Sequence, residues 1–200
     1  MSENNVLPVI LAGGKSRRFG ADKTVAKLGE KSLIDYTINK LEPKFAEILV
    51  ITNNPIQVSK NNIFFIKDTL AGQLGPLVGI LSAMEWVKNN DKNYEWIISF
   101  PCDTPFFEEK IIDKVINSQK SSDKKLLFLK SGNKRHNIFG LWSIELMEQL
   151  RNDINQGARK VEDWANKIGT EIVEINSESD KSFLNINTKL DLEDAQKKLK

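Results

Sequence analysis

Cysteine and histidine are nearly absent from this 200-residue chain, which has one of each, Cys102 and His136. A single cysteine excludes an intrachain disulfide and a cysteine-rich zinc cluster, and the pair fits a reduced compartment. An excess of either charge is also lacking. With 29 Lys and Arg against 27 Asp and Glu, the formal charge is +2. That basic excess is too small for a general nucleic-acid binder. No apolar run approaches the roughly 20 residues of a membrane helix. The first apolar stretch, 6–12, is too short for a signal-peptide core and ends in glycines. The expectation is therefore a soluble cytoplasmic protein without membrane or nucleic-acid partners. Repeats, low-complexity tracts and linkers are missing too, so one domain over 1–200 is the simplest organisation.

Strand-like and helix-like segments alternate along the chain. "VLPVILA", "AEILVIT", "NIFFI" and "EWIISF" are apolar without alternation, as expected of strands covered on both faces. A helix is expected from Ser32, where Ser32 and Asp35 form a capping box, to Pro43. Another opens at Pro76, with Leu77, Ile80, Leu81, Met84 and Val87 as its stripe. Ile111, Ile112, Val115 and Ile116 mark a third. "KLLFLK" and "NIFGLW" flank "SGNKRH" as a hairpin or a pair of edge strands. Two helices are expected over 143–153 and 158–169, a strand over 170–175, and a closing helix capped by Thr188 with Asp191. This order predicts an α/β fold, a mostly parallel sheet with helices on both faces. The 130–170 region breaks the alternation and is the expected place for an insertion or lid.

The stretch "LAGGKSRRFGADK", 11–23, leaves the carboxyl end of the first strand, where open α/β sheets bind ligands. Gly13 and Gly14 allow backbone amides to approach an anion. Lys15, Arg17, Arg18 and Lys23 can add charge-assisted bonds to phosphate. A P-loop would need glycine where Val9 stands, and the dinucleotide fingerprint would need a Gly-x-Gly that does not occur.

This loop resembles L-A-G-G-x-S-x-R-[MF]-G-x-[DN]-K of the nucleotidyltransferases with a GT-A-like fold. "DTLAGQLGPLVGILSAM" resembles that family's Gly-Pro-Leu segment, and "FPCDTPFF" its C-D-x-P metal turn. "FLNINTKLDLEDAQ" is similar to the ending of the molybdenum cofactor guanylyltransferases. The resemblance runs through nearly the whole chain in the same order. It implies a three-layer, Rossmann-like sandwich of the nucleotide-diphospho-sugar transferase kind. It also implies an enzyme that uses Mg²⁺ to move GMP from GTP to the terminal phosphate of molybdopterin cofactor, releasing pyrophosphate.

Residue by residue, the resemblance implies a nucleotide site of Leu11, Ala12, Gly13, Gly14, Lys23, Asp68, Gly75, Gly79 and Asp103. Asp103 is the implied metal ligand and, with Lys23, Arg17 and Arg18, the implied catalytic set. Mg²⁺ commonly takes one or two carboxylates plus phosphate oxygens and water, which suits a lone aspartate at a strand end. Asp68 would accept from the guanine edge or from ribose hydroxyls. Asn185, Asn187 and Arg159 fall on the implied acceptor side, as do Arg135 and His136. The two asparagines share one side of an extended segment. Cys102 reads as a packing residue and His136 as structural. One departure stands out. Where the subfamily carries Asn after its second strand this chain has Thr52, followed by Asn53 and Asn54; the hydroxyl or a shifted asparagine could take that place.

Two rivals share the loop. One is cytidylyl or other nucleotidyl transfer to the same or another phosphate acceptor. The other is a non-catalytic nucleotide-binding module that delivers cofactor, against which Asp103 and Lys23 count. Transient contact with molybdoenzymes or cofactor-delivery proteins belongs to the same implication.

Overall fold

The computed structural model describes residues 5–13, 19, 25–54, 60–70, 75–176 and 182–199. In chain order come β1 (Val6–Leu11), a small hairpin of β2 (Lys27–Leu28) and β3 (Lys31–Ser32), and α1 (Leu33–Leu41). They are followed by β4 (Ile48–Ile51), β5 (Ile63–Ile66), α2 (Pro76–Asn89), β6 (Trp96–Pro101) and α3 (Lys110–Gln119). The remainder is β7 (Leu126–Ser131), β8 (Lys134–Ser143), α4 (Met147–Asn155), α5 (Val161–Ile168), β9 (Glu171–Glu174) and α6 (Lys189–Lys197). No helix among the described residues is long and apolar enough to cross a membrane.

Seven of these strands form one sheet in the order β5-β4-β1-β6-β8-β7-β9. β1 pairs in parallel with β4 and β6, β4 with β5, and β7 with β9, while β8 runs antiparallel to both of its neighbours. The side chains alternate between two cores. Val6 and Ile10 of β1, with Ile98 and Phe100 of β6, meet Ile34 and Ile38 of α1 and Ile112 and Val115 of α3. Leu7 and Val9, with Ile97, meet Leu77, Ile80 and Leu81 of α2, Leu150 of α4 and Trp164 of α5. Period-two strands that are apolar at every position thus require helices on both sides, and the result is a three-layer sandwich. Phe19, Leu28, Leu33, Ile186 and Ala195 form a smaller third core joining the β2–β3 hairpin to the C-terminal segment.

Local chemistry sets the helix starts. The Ser32 side chain accepts from the Asp35 amide, and Asp35 accepts from the Ser32 amide. Thr188 and Asp191 repeat the box at α6. Pro76 occupies the first turn of α2, after Gly75 at φ 92°. The 143–153 stretch begins as a 3-10 turn, Ile144–Leu146, before α4 proper.

"SGNKRH" is a hairpin turn, with Gly132 at φ 53° and Ser131 paired to Lys134. Neither strand it joins is at an edge, because β8 inserts between β6 and β7, and β9 covers the other side of β7. The 130–170 region is therefore sheet and packed helix rather than an appended lid. Long-range pairing decided this placement, and hydrophobic pattern does not encode it.

Gly140 is where β8 needs glycine. A Cβ there would lie 2.5 Å from two ring atoms of Phe128 and 3.0 Å from Trp142 Nε1. Phe128 and Trp142 are fully buried and pack edge to face, with centroids 5.1 Å apart. Neither ring can retreat without losing that packing, so Gly140→Ala is expected to cost about 2–3 kcal/mol. The check is a lower urea midpoint at unchanged m-value.

Candidate active site at the carboxyl ends of the strands

Four parallel strands deliver their carboxyl ends to one rim. β1 leads to Ala12 and Gly13, β4 to Thr52 and Asn53, β5 to Asp68, and β6 to Cys102 and Asp103. The sheet ladder continues past the strands: the Ala12 amide donates to Ile51 O at 2.9 Å, Thr52 to Ile66 O at 2.9 Å and Cys102 to Leu11 O at 3.3 Å. From β1 the chain runs outward to β4 and β5, then crosses back through α2 to β6 on the other side of β1, which makes the crevice beside β1 a topological switch point.

On one flank of this crevice Asp68 stands between two glycines. A Cβ on Gly13 would lie 3.7 Å from Asp68 Oδ2, and one on Gly79 would lie 3.7 Å from Oδ1 and 2.9 Å from Leu11 Cδ2. Gly79, a helix-interior glycine, therefore lets α2 approach β1 closely. Asn53 holds Asp68 in both directions. Its Nδ2 donates to Asp68 Oδ2 at 2.8 Å, and the Asp68 amide donates to Asn53 Oδ1 at 3.3 Å. Thr52 is buried, and its hydroxyl closes its own turn with the amide and carbonyl of Asn54, both at 3.2 Å. Of the three candidates after β4, Asn53 is thus the side chain paired with Asp68. Sequence left this open, because a one-residue shift past a strand end has no periodic signal.

On the other flank is Asp103, partly exposed. Its main-chain carbonyl accepts from the Ile186 amide at 2.8 Å. The buried Thr104 hydroxyl donates to Asn185 Oδ1 at 2.7 Å and stands 3.4 Å from Asp103 Oδ1. The "PCDTP" turn and the "NINT" segment are therefore tied together. Asn185 faces the crevice, while the Asn187 amide donates to Asp191 at 2.8 Å as part of the α6 start. Cys102 is buried in the core, as a packing residue.

From Leu11, Gly13 and Asp103 a cavity of about 680 Å³ extends to residues 134–139 of β8, residues 159–162 before and within α5, and Asn185. A bulge shapes this far side. β7 pairs Phe128 with Gly140 but Leu129 with His136, which expels residues 137–139 from the ladder. Ser99 of β6 holds the bulge: its hydroxyl donates to Ile138 O at 2.5 Å and accepts from Trp142 Nε1 at 2.8 Å.

Arg159 borders the cavity, and its Nη1 donates to Ile154 O and Ala158 O, both at 2.7 Å, capping the end of α4. The Arg159 carbonyl lies 3.4 Å from where a Gly75 Cβ would be, so Gly75 is the contact between α2 and this segment. Arg135 donates through Nη1 to Asn166 Oδ1 at 3.2 Å, and its Nη2 lies 3.3 Å from Glu162. Gly14, Arg17, Arg18 and Lys23 lie outside the described residues.

His136 is buried, stacks on Phe183 with centroids 3.8 Å apart, and shares a 2.8 Å hydrogen bond between Nε2 and Ser131 Oγ. Burial, helped by the Lys134 charge, pushes its pKa down to about 4. It is neutral at physiological pH and structural rather than a proton carrier. Unfolded, it would bind a proton below about pH 6.5. Between about pH 4 and 6.5 the unfolded chain holds more protons, so this contribution to stability rises with pH and is complete above that window. Urea midpoints should climb from about pH 4.5 to 6.5, and less steeply in His136→Phe; equal slopes would remove His136 as the cause.

Among the described residues no group of three or more His, Cys, Asp and Glu side chains converges on one point. A caged zinc site does not fit those residues, whereas a single carboxylate facing phosphate oxygens is a donor set for Mg²⁺.

The architecture and this rim have counterparts. A "MobA-like NTP transferase domain" model matches residues 8–168. A molybdenum cofactor guanylyltransferase of Haemophilus influenzae is 36% identical over 92% of this chain and 94% of its own. Another, of Nitrobacter hamburgensis, is 29% identical over 94% and 92%. In fold, the chain is similar to molybdopterin-guanine dinucleotide biosynthesis protein A of Archaeoglobus fulgidus, with a TM-score of 0.80 and 22% identity over 96% of this chain and 98% of that one. With the domain match across most of its length and a relative of this identity aligned nearly end to end, the chain belongs to the MobA-like NTP transferase family and groups there with the molybdenum cofactor guanylyltransferases.

Proposed function

We propose that this chain transfers GMP from GTP to the terminal phosphate of molybdopterin cofactor. The acceptor phosphate oxygen forms a bond to the α-phosphorus of GTP, the α–β bridge breaks, and pyrophosphate leaves. The observation that carries this reading is a cavity whose rim bears Gly13 and Asp103 and whose far side reaches Asn185 and β8. It offers a nucleotide place beside the Asp68–Asn53 pair and an acceptor place across Asp103, as in-line transfer requires. The Haemophilus and Nitrobacter relatives, named for this activity, support it.

An acceptor phosphate is already ionised near neutral pH, so the reaction needs no strong general base. A neutral, stacked His136 agrees with that. Positioning and charge stabilisation remain for the protein to supply. In this reading Gly13 and Gly14 let the nucleotide approach the backbone beside Leu11 and Ala12. Asp68, held by Asn53, accepts from guanine or ribose. Lys23, Arg17 and Arg18 neutralise phosphate charge, a role taken from the motif. Asn185, Asn187 and Arg159 serve the acceptor side. Asp103 would hold Mg²⁺, which when bound neutralises the charge growing on the leaving pyrophosphate. Delivery of the product to molybdoenzymes, through transient contact in the cytoplasm, completes the reading.

The test is pyrophosphate release by the purified chain with molybdopterin cofactor and GTP, CTP or ATP, with and without Mg²⁺. Release with GTP and Mg²⁺ is expected. Release preferring CTP would change the nucleotide. GTP binding without release would leave a delivery module.

A further inference from the structure

We propose that Thr104 is a positioning residue: its hydroxyl fixes the Asn185 carboxamide so that the amino group, and not the carbonyl, faces the cavity and donates to a phosphate oxygen of the acceptor. Thr104 directly follows Asp103 and is fully buried. A hydroxyl has one proton to give. Two acceptors compete for it, Asn185 Oδ1 at 2.7 Å and Asp103 Oδ1 at 3.4 Å, and the shorter contact takes it. A carboxamide that accepts through its oxygen presents its two N–H bonds elsewhere. Asn185 is exposed and borders the cavity, and its Nδ2 has no partner among the described residues. A ligand in the cavity can therefore reach this donor.

Electrostatics gives this orientation its use. Asp103 borders the same cavity with a carboxylate. An outward oxygen on Asn185 would add to the repulsion of an incoming anion, whereas an N–H attracts it. The backbone is already set, because the Ile186 amide donates to the Asp103 carbonyl at 2.8 Å. What remains free is the direction of the carboxamide, and the Thr104 hydroxyl removes that freedom. Asn185 borders this cavity and Asp68 does not, so the donor serves a phosphate near Asp103 and not the base or ribose of the nucleotide. The C-D-x-P pattern leaves the position of Thr104 open, so its role comes from the contact and not from the motif. The proposal rests on the reading of molybdopterin as acceptor.

The experiment compares wild type with Thr104→Val, Thr104→Ser, Asn185→Ala and the double variant of Thr104→Val with Asn185→Ala. Valine keeps the buried shape and removes the hydroxyl, and the oxygen released on exposed Asn185 turns to water. In guanylyl transfer Thr104→Val should raise the KM for molybdopterin about fivefold, the cost of ordering one freed side chain, while the KM for GTP changes less than about twofold. Serine should bring the KM for molybdopterin back to within about twofold of wild type. In the Asn185→Ala background Thr104→Val should have no further effect, because it acts through the carboxamide. The same rise in that background would overturn the proposal. So would a Thr104→Val variant that lowers the urea midpoint and leaves both KM values unchanged. A rise in the KM for GTP alone would overturn it by giving the donor to the phosphates of the nucleotide. A second arm needs no turnover. Inorganic phosphate is titrated into isotope-labelled protein, and the Asn185 side-chain amide is followed by NMR. Its resonances should shift in wild type and Thr104→Ser, and only at severalfold higher phosphate in Thr104→Val. No shift in wild type would overturn the phosphate contact. If wild type transfers nothing to molybdopterin, the functional reading fails, and the phosphate titration still decides the positioning.

Discussion

Asp103→Asn is expected to lower guanylyl transfer at least about a thousandfold, roughly 4 kcal/mol of transition-state stabilisation, with the fold unchanged. The fold should survive because the main chain and Thr104 hold this turn to the segment before α6. The Asp103 carbonyl accepts from Ile186, and Thr104 reaches Asn185 at 2.7 Å against 3.4 Å to Asp103. Asparagine keeps the shape and removes the charge, so it tests the metal role with little change in packing. The loss should fall on kcat and kcat/KM together, because charge on the leaving pyrophosphate develops only in the transition state. Circular dichroism and the urea midpoint should match wild type. Wild-type turnover of this variant in Mg²⁺ would move the metal elsewhere.

Asp68→Asn should act differently. Held by Asn53 Nδ2 at 2.8 Å, the new side chain keeps its oxygen toward Asn53 and turns an amino group toward the nucleotide. An acceptor thereby becomes a donor. Two bonds to a charged acceptor, at about 1.5 kcal/mol each, amount to about a hundredfold rise in the KM for GTP. The kcat should change less, since these bonds exist before and during transfer. Steady-state assays with GTP, ITP and 2′-deoxy-GTP separate the two chemistries. Sensitivity of wild type to ITP assigns the carboxylate to the guanine edge, and sensitivity to 2′-deoxy-GTP assigns it to ribose. An unchanged KM for GTP in the variant would place Asp68 outside the nucleotide site.

Much of the architecture is legible in particular residues. β1, β4, β5 and β6 show as apolar runs because both faces are covered, and the two capping boxes and Pro76 mark helix starts through local bonds a few residues apart. What escapes has a common cause in non-local contact. β8 slips between β6 and β7 because of pairings made across the sheet. The two-residue strands β2 and β3 are too short for any period. Ser99 looks like a break in an apolar strand until Trp142 and Ile138 arrive from β8 to use its hydroxyl. The interior glycine of "NIFGLW" was the one available signal for a close approach. For the site, the residue types at strand ends were readable, and their pairing was not. Asn53 with Asp68, and Thr104 with Asn185, are meetings of segments distant in sequence.

The reversed strand has one more consequence, for how substrate choice can change. The ends of β5, β4, β1 and β6 lead to the acids and to Gly13 of the proposed nucleotide side, and β8 with the segment before α5 borders the far, proposed acceptor side. The two blocks meet along one ladder, from Trp96 with Ser143 to Ser99 with Gly140. The alignment of one substrate's attacking oxygen with the other's phosphorus is then set at that seam, with Ser99 at its end. Mutations beyond the seam can remodel the acceptor pocket while the nucleotide machinery keeps its geometry. The fold is in this sense modular, able to diversify one substrate at a time.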